Sequence, residues 1–439
     1  MSEAPAAQAH MRKVLTPLHL WGIAVGLVIS GDYFGWNYGV EKGGALGMLA
    51  ATLLMSALYV CFIFSYTELS TAMPRSGGPS TYAARAFGRW GGFLAGYATL
   101  VEFLLAPPAI ARAVGSYVHF RVPSLSVEGV AVGAFAVFCA LNALGTSLAA
   151  TFELVVTLAA TFELVLFFFL AAPHASMARL TAAPTLPHGL AGVLAAVPFA
   201  IWFFLGIEGV AMSAEEARDP RRDIPRGYVA GVLTLVVLAV GTLLCSAGVL
   251  TPTELVADDS PLPRVLARVL SPSHPMTHLM VYLGLFGLIA SFHGILMGAA
   301  RQVFALARDG YLPGYFAALH PRFRAPARAV LVPWALGTAA VFSGRTDDLI
   351  TAAVLGAVAL YLISMAALFR LRRSDPEMER PFRVPGFPWV PGAAMGLSAL
   401  SLLAVAASAP RVTAGFVALG AILAVIQAKR FRARDLEHS

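Results

Sequence analysis

The chain has 439 residues, of which 58% are hydrophobic and 13% charged, and it carries a formal net charge of +7. An average soluble domain is roughly 25% charged and 45–50% apolar. With a mean hydropathy of +0.74, the composition argues against a soluble enzyme, a disordered chain or a nucleic-acid binder, and for one bundle of helices dissolved in lipid. Cys61, Cys139 and Cys245 lie far apart in apolar runs, so neither a disulfide framework nor a zinc pattern is available. Residues 1–16 are polar or alanine-rich and show no cleavable signal pattern, which predicts that the first apolar run is a retained membrane helix.

Crossing a bilayer takes about 20 mostly apolar residues. Twelve runs are read as spans, near 18–39, 45–70, 91–117, 126–146, 150–172, 191–213, 227–250, 277–305, 328–343, 348–370, 389–408 and 411–428, the ninth of them short. Lipid offers backbone groups no partners, so each is predicted helical. An even number of spans puts both termini on one side. With the N-terminus in the cytoplasm, 23 Lys and Arg fall inside and 8 outside or near it. This positive-inside bias accounts for the basic charge as topology in a cytoplasmic membrane.

Span 1 carries Gly26-Leu-Val-Ile-Ser30-Gly31-Asp32-Tyr33-Phe34-Gly35-Trp36-Asn37, poor helix material at mid-membrane. Span 2 ends with Glu68, expected at the membrane interface. In span 3 Glu102 precedes Pro107-Pro108; prolines remove amide donors and free carbonyls one turn back, which predicts a polar kink. Span 5 holds Glu153 near its start and Glu163 deeper, a candidate proton carrier. There Leu148-Ala-Ala-Thr-Phe-Glu-Leu-Val155 recurs verbatim from Leu158 to Val165. Ten residues fall about 80° short of three turns, so the two glutamates do not share one narrow stripe. Span 6 carries Phe203-Phe204-Leu205-Gly206-Ile207-Glu208-Gly209, a second glycine-flanked acid about 175 residues after the first. Span 8 has Ser291-Phe292-His293-Gly294, where His293 either titrates near neutral pH or is a satisfied packing residue.

Paired glycine-interrupted spans in corresponding halves point to a secondary transporter with inverted repeats; close helix packing is the plainer use of such glycines. The halves are 17–172 (spans 1–5) and 191–371 (spans 6–10), followed by spans 11 and 12 at 389–428 and a tail at 429–439. Intramembrane carboxylates are expensive and mark function, and Asp32 and Glu208 lie in the breaks themselves. A broken helix exposes amide donors that attract anions, but Asp32 would repel a substrate carboxylate and attract an amine. Tyr33, Phe34, Trp36, Trp202, Phe203 and Phe204 crowd both breaks, where rings either pack or receive an ammonium through cation–π contact.

The loops resemble those of the amino acid–polyamine–organocation permeases. The resemblance rests on Pro74-Arg-Ser-Gly-Gly-Pro-Ser-Thr-Tyr82 with Trp90-Gly-Gly-Phe-Leu-Ala-Gly96, and on Glu215-Glu216-Ala-Arg-Asp-Pro-Arg-Arg-Asp-Ile-Pro225. It rests also on Arg308-Asp-Gly-Tyr-Leu-Pro313 and Arg380-Pro-Phe-Arg-Val-Pro-Gly386, and it runs in register from about residue 12 to 430. Within that superfamily Ser30-Gly-Asp-Tyr-Phe-Gly-Trp-Asn37 resembles the ethanolamine permease branch. The resemblance implies an all-α leucine-transporter-type 5+5 inverted repeat, alternating access, and a substrate site between the breaks bordered by spans 3 and 8. By position it implies Ser30, Gly31, Asp32, Phe204, Gly206 and Glu208 as pocket residues.

The expectation is therefore a permease for a small cationic amine, ethanolamine first. An amino-acid or polyamine permease of the same fold is the nearest alternative, and a non-transporting amine sensor a distant one. Tyr33, Phe34, Glu102 and Phe203 join the substrate-site candidates; Glu163, His293 and Ser291 are candidates for ion or proton coupling. No metal-ligand cluster, nucleophile elbow or phosphate loop occurs, so neither an enzyme nor a cofactor beyond a coupling H+ or Na+ is expected. Some proton-coupled relatives keep a lysine in span 5, but no Lys or Arg lies between Arg121 and Arg179. Coupling stays open among proton symport, sodium symport, exchange and uniport.

Overall fold

The computed structural model describes residues 13–75, 77–144, 149–181, 186–321 and 325–437. Arg12, Arg322 and Arg324, counted above among the inside bases, and Leu148 at the head of the repeat lie outside the described residues. Among the described residues the chain is helical, with one isolated backbone bridge between Leu15 and Ala217.

Among the described residues nine helices are long and apolar enough to cross a membrane, and Val127–Ala143 and Leu331–Val341 are shorter apolar helices. Span 1 completes the twelve. It begins as Pro17–Val28, capped by the Thr16 side chain. A single turn, Ser30–Tyr33, follows. Phe34 is then extended and Gly35 takes φ +92° before helix resumes at Asn37. The Asn37 carboxamide accepts from the Gly35 amide at 2.8 Å, restarting the helix with a side-chain partner for a freed donor. Spans 1 and 2 are not separated by a loop. Asn37–Ala72 is one helical element bent at Gly44, whose φ of 71° only glycine adopts cheaply.

Span 6 begins as Gly189–Trp202, turns through Gly206 (φ +99°) and continues as a 3₁₀ segment, Ile207–Glu216. The bend expected at Pro107-Pro108 in span 3 is not where Gly78–Arg121 departs from helical dihedrals; that point is Gly88, at φ 72°. Proline's fixed φ is compatible with helix, and helical dihedrals continue through both prolines.

The packing of spans reveals the repeat. Replacing each span of the first five by its partner five later maps the contacts onto one another. Span 2 on 6 answers 7 on 1, 3 on 10 answers 8 on 5, and 3 on 4 answers 8 on 9. Spans 1 on 5, 2 on 10 and 1 on 8 answer 6 on 10, 7 on 5 and 6 on 3. The 5+5 inverted repeat is therefore present in the contacts as well as in the breaks. Span 3 is central, its apolar window 78% buried, whereas that of span 12 is 6% buried and faces outward.

Glu68, at the end of span 2, is covered by protein. It is 1% exposed, because Arg372, Arg380 and the Val384 amide close around it.

Candidate functional site

The two breaks meet. A methyl added at Gly31 would come within 3.0 Å of the Phe203 Cα and closer still to the Trp202 carbonyl, so only glycine lets the backbones approach this far. Gly31→Ala is therefore expected to force the breaks apart, costing roughly 1–3 kcal/mol of stability and abolishing ligand-induced thermal stabilisation. A melt of the purified variant with and without ligand checks both effects. Span 8 ties itself to the same place: the Ser291 hydroxyl accepts from the Ser30 amide at 3.0 Å and donates to the Gly26 carbonyl at 2.6 Å. The Trp36 indole donates to the Asp32 carbonyl at 3.0 Å, and Tyr117 from span 3 donates to the Tyr33 carbonyl at 2.9 Å. The unwound backbone is thus held by side chains from three spans.

The carboxyls are the unusual feature. Asp32 is fully buried and neither of its oxygens has a hydrogen-bond partner. Glu208, also fully buried, accepts from Tyr361 at 3.1 Å on one oxygen and has no partner on the other. Both oxygens of buried Glu102 are without a partner, and its carboxyl lies beside Glu208 and the Gly206 backbone. No Lys or Arg pairs with any of the three among the described residues. Buried polar atoms normally find partners; here the Asp32 carboxyl has none, and the Glu102 and Glu208 carboxyls face each other.

Other predicted residues fall in different places. Tyr33 turns its hydroxyl to span 5, donating to the Ala160 carbonyl at 3.1 Å and to Glu163. Glu163 therefore touches the span 1 break through Tyr33. Phe34 meets Trp202 edge-on at 5.5 Å between centroids, and Trp36 stacks with Phe203 at 6.1 Å. Phe204 stacks on Tyr59 at 4.8 Å. His293 stands apart, against Phe138, Phe152 and Asn142 of spans 4 and 5. Glu153 sits near the facing glycines Gly26 and Gly294, with both oxygens unpartnered.

Sequence reasoning missed the tyrosines. Tyr59 and Tyr361 share a hydrogen bond of 2.9 Å, and Tyr228 donates to the Glu208 carbonyl at 3.1 Å. The available signal was a tyrosine in each of three apolar runs that also carry serines and threonines, which is too common to single out.

Contacts join the elements flanking the breaks on either side. On the face bearing the N-terminus, Val14 and Leu15 donate to the Glu216 carbonyl at 2.9 Å, Arg218 donates back to Leu15 at 2.9 Å, and Arg301 pairs with Glu216 at 3.4 Å. On the far face Asn37 donates to the Leu255 carbonyl at 2.9 Å. Tyr38 and Thr346 donate to Asp259 at 2.6 and 2.9 Å.

The amino acid permease family model matches residues 15–426. An uncharacterized transporter of Rhizobium meliloti is 32% identical over 376 residues, 83% of this chain and 80% of the relative. The branched-chain amino acid permease BcaP of Bacillus subtilis is 24% identical, over 89% of this chain and 88% of its own. The methylthioribose transporter of the same organism is 24% identical, over 90% and 88%. The match spans all twelve helices, both breaks and the loops between them, and the chain belongs to the amino acid permease family of the amino acid–polyamine–organocation superfamily.

Proposed function

We propose that this permease carries a small cationic amine, ethanolamine or a close analogue, by alternating access. Asp32 supports this reading most directly: a buried carboxyl without a partner, in the backbone break where a substrate would dock. Burying a charge without a counter-charge is strongly unfavourable, and an ammonium supplies the missing partner. Glu208 and Glu102 add negative potential beside the second break, and the rings of Phe34, Trp202 and Phe203 provide apolar walls. The unwound turns at Gly35 and Gly206 offer backbone groups for a hydroxyl.

In this reading spans 1–5 and 6–10 are the moving halves, the N-terminal face is cytoplasmic, and Glu163 takes the coupling proton through Tyr33. An amino-acid substrate is the second reading. It is favoured by the name of one relative, a branched-chain amino acid permease, and opposed by Asp32, whose charge would repel a substrate carboxylate docking at the break.

A thermal-shift screen of the purified chain separates the two readings, since a ligand at 100 times its Kd stabilises by about 2.7 kcal/mol. Ethanolamine and other carboxylate-free amines are expected to raise the melting temperature; stabilisation by neutral amino acids alone overturns the amine reading. Uptake of labelled ethanolamine into proteoliposomes, competed by unlabelled amine and not by leucine, tests transport itself.

A further inference from the structure

A second site lies outside the bundle axis. Where span 10 ends, a groove of about 700 Å³ opens between that span, the short helix preceding Gly88, and span 11. Phe87, Phe369 and Met395 line its apolar part, and Arg370, Arg373 and Ser374 its polar end. Arg370 and Arg373 are one turn apart on Thr346–Ser374, so they share a face. Both are exposed, and neither has an acidic partner among the described residues. Asp375 pairs with Arg85 and Glu379 with Arg221, each at 2.7 Å, and Glu68 with Arg372. The Arg370 guanidinium lies over the Phe87 ring, 5.6 Å from its centroid.

The groove is graded along the membrane normal. Trp389, 81% exposed, opens span 11, and tryptophans of this kind sit at headgroup level. Met395 lies six residues further along that helix, about 9 Å deeper at 1.5 Å per residue, where acyl chains begin. At the shallow end two guanidiniums present fork-shaped donors suited to phosphate oxygens.

We infer that this groove is a binding site for an anionic phospholipid, its phosphate held by Arg370 and Arg373 and its upper acyl carbons lying against Phe87, Phe369 and Met395. Charge complementarity selects the occupant, because a lipid of net negative charge offsets the two guanidiniums in part and a zwitterionic one brings its own cation. Basic pockets between spanning helices hold such headgroups in this way.

The test is retention of lipid by the full-length chain. Purified protein is exchanged into detergent containing phosphatidylglycerol or phosphatidylcholine, and bound lipid is counted by native mass spectrometry. Phosphatidylglycerol is expected to bind with saturation and phosphatidylcholine not to. The R370Q/R373Q double variant is expected to weaken binding roughly 30-fold, at about one surface charge's worth of attraction per arginine, and R370K/R373K to recover part of it. An R75Q/R226Q control removes two exposed charges outside the groove and is expected to bind as the parent does. Equal binding of both lipids, or equal losses in the control and the groove variant, overturns the proposal. Competition by millimolar inorganic phosphate that leaves no preference for the lipid also overturns it. Melting of each variant without lipid confirms that the chain is folded when binding is read.

Discussion

Asp32→Asn is expected to leave the chain folded, with a melting temperature equal to or above that of the parent, and to weaken amine binding by roughly 10- to 150-fold. The two halves of this expectation come from the same observation. Asp32 is fully buried and makes no hydrogen bond through its carboxyl, so the resting structure gains nothing from its charge and bears the cost of desolvating it. Asparagine keeps the shape and removes the charge. What the substitution takes away appears only when a cation enters: a hydrogen bond to a charged group contributes about 1.5–3 kcal/mol, which converts to the fold-change above. Isothermal titration with ethanolamine measures the affinity, and a melt in the same detergent measures the fold. Unchanged affinity removes Asp32 from the site, and a melt lowered by several degrees makes it a structural residue. Glu208→Gln is a useful contrast. Tyr361 donates to Glu208 at 3.1 Å, and a glutamine oxygen still accepts that bond, so fold is again kept while negative potential is lost.

The sequence carried more of the scaffold than of the site's inner wall, for a physical reason. Twelve spans follow from apolar run length, and the two breaks from glycines beside acids, because both signals are local. Glu208 and Asp32 were legible since a carboxylate in an apolar run is expensive wherever it points. Tyr59 and Tyr361 were not, because their meaning comes from one another and from Glu208, across 302 and 153 residues of chain. Glu153 was legible as a residue but not as a position: that it lies near Gly26 and Gly294 follows from the packing of span 5 on spans 1 and 8. His293 had the strongest single-residue signal in span 8, yet the neighbouring Ser291 is the one that reaches the break. The two are only two residues apart, which turns them to different faces of the helix. That Glu68 is covered was not legible, because the loop that closes over it comes about 300 residues later in the chain.

That covering loop predicts the largest effect on stability. Glu68→Gln is expected to cost about 3–5 kcal/mol, the range for removing one partner from a buried ion pair, with substrate affinity unchanged. The Glu68 carboxylate accepts from Arg372 at 2.7 and 2.6 Å, lies 3.3 Å from the Arg380 Nε, and accepts from the Val384 amide at 2.8 Å. Arg380 is itself buried and donates to the carbonyls of Leu371, Asp375, Pro376 and Met378. Its guanidinium therefore organises the whole connection from span 10 to span 11 and needs one counter-charge, which Glu68 supplies from span 2. Glutamine satisfies the Val384 amide but leaves Arg372 and Arg380 side by side without an anion, so repulsion adds to the lost attraction. The measurements are thermal melting and limited proteolysis between residues 375 and 386, where the variant is expected to be cut faster. Arg221→Gln serves as the control. Its pair with Glu379 is 61% and 70% exposed, and such surface pairs contribute about 0–1 kcal/mol. The double variant E68Q/R372Q is expected to recover part of the E68Q loss, since it removes one of the stranded charges and leaves the Arg380 bonds to four carbonyls in place. An E68Q melt indistinguishable from that of Arg221→Gln would show that the arginines find other anions, and would break the link between this ion cluster and the seating of spans 10 and 11.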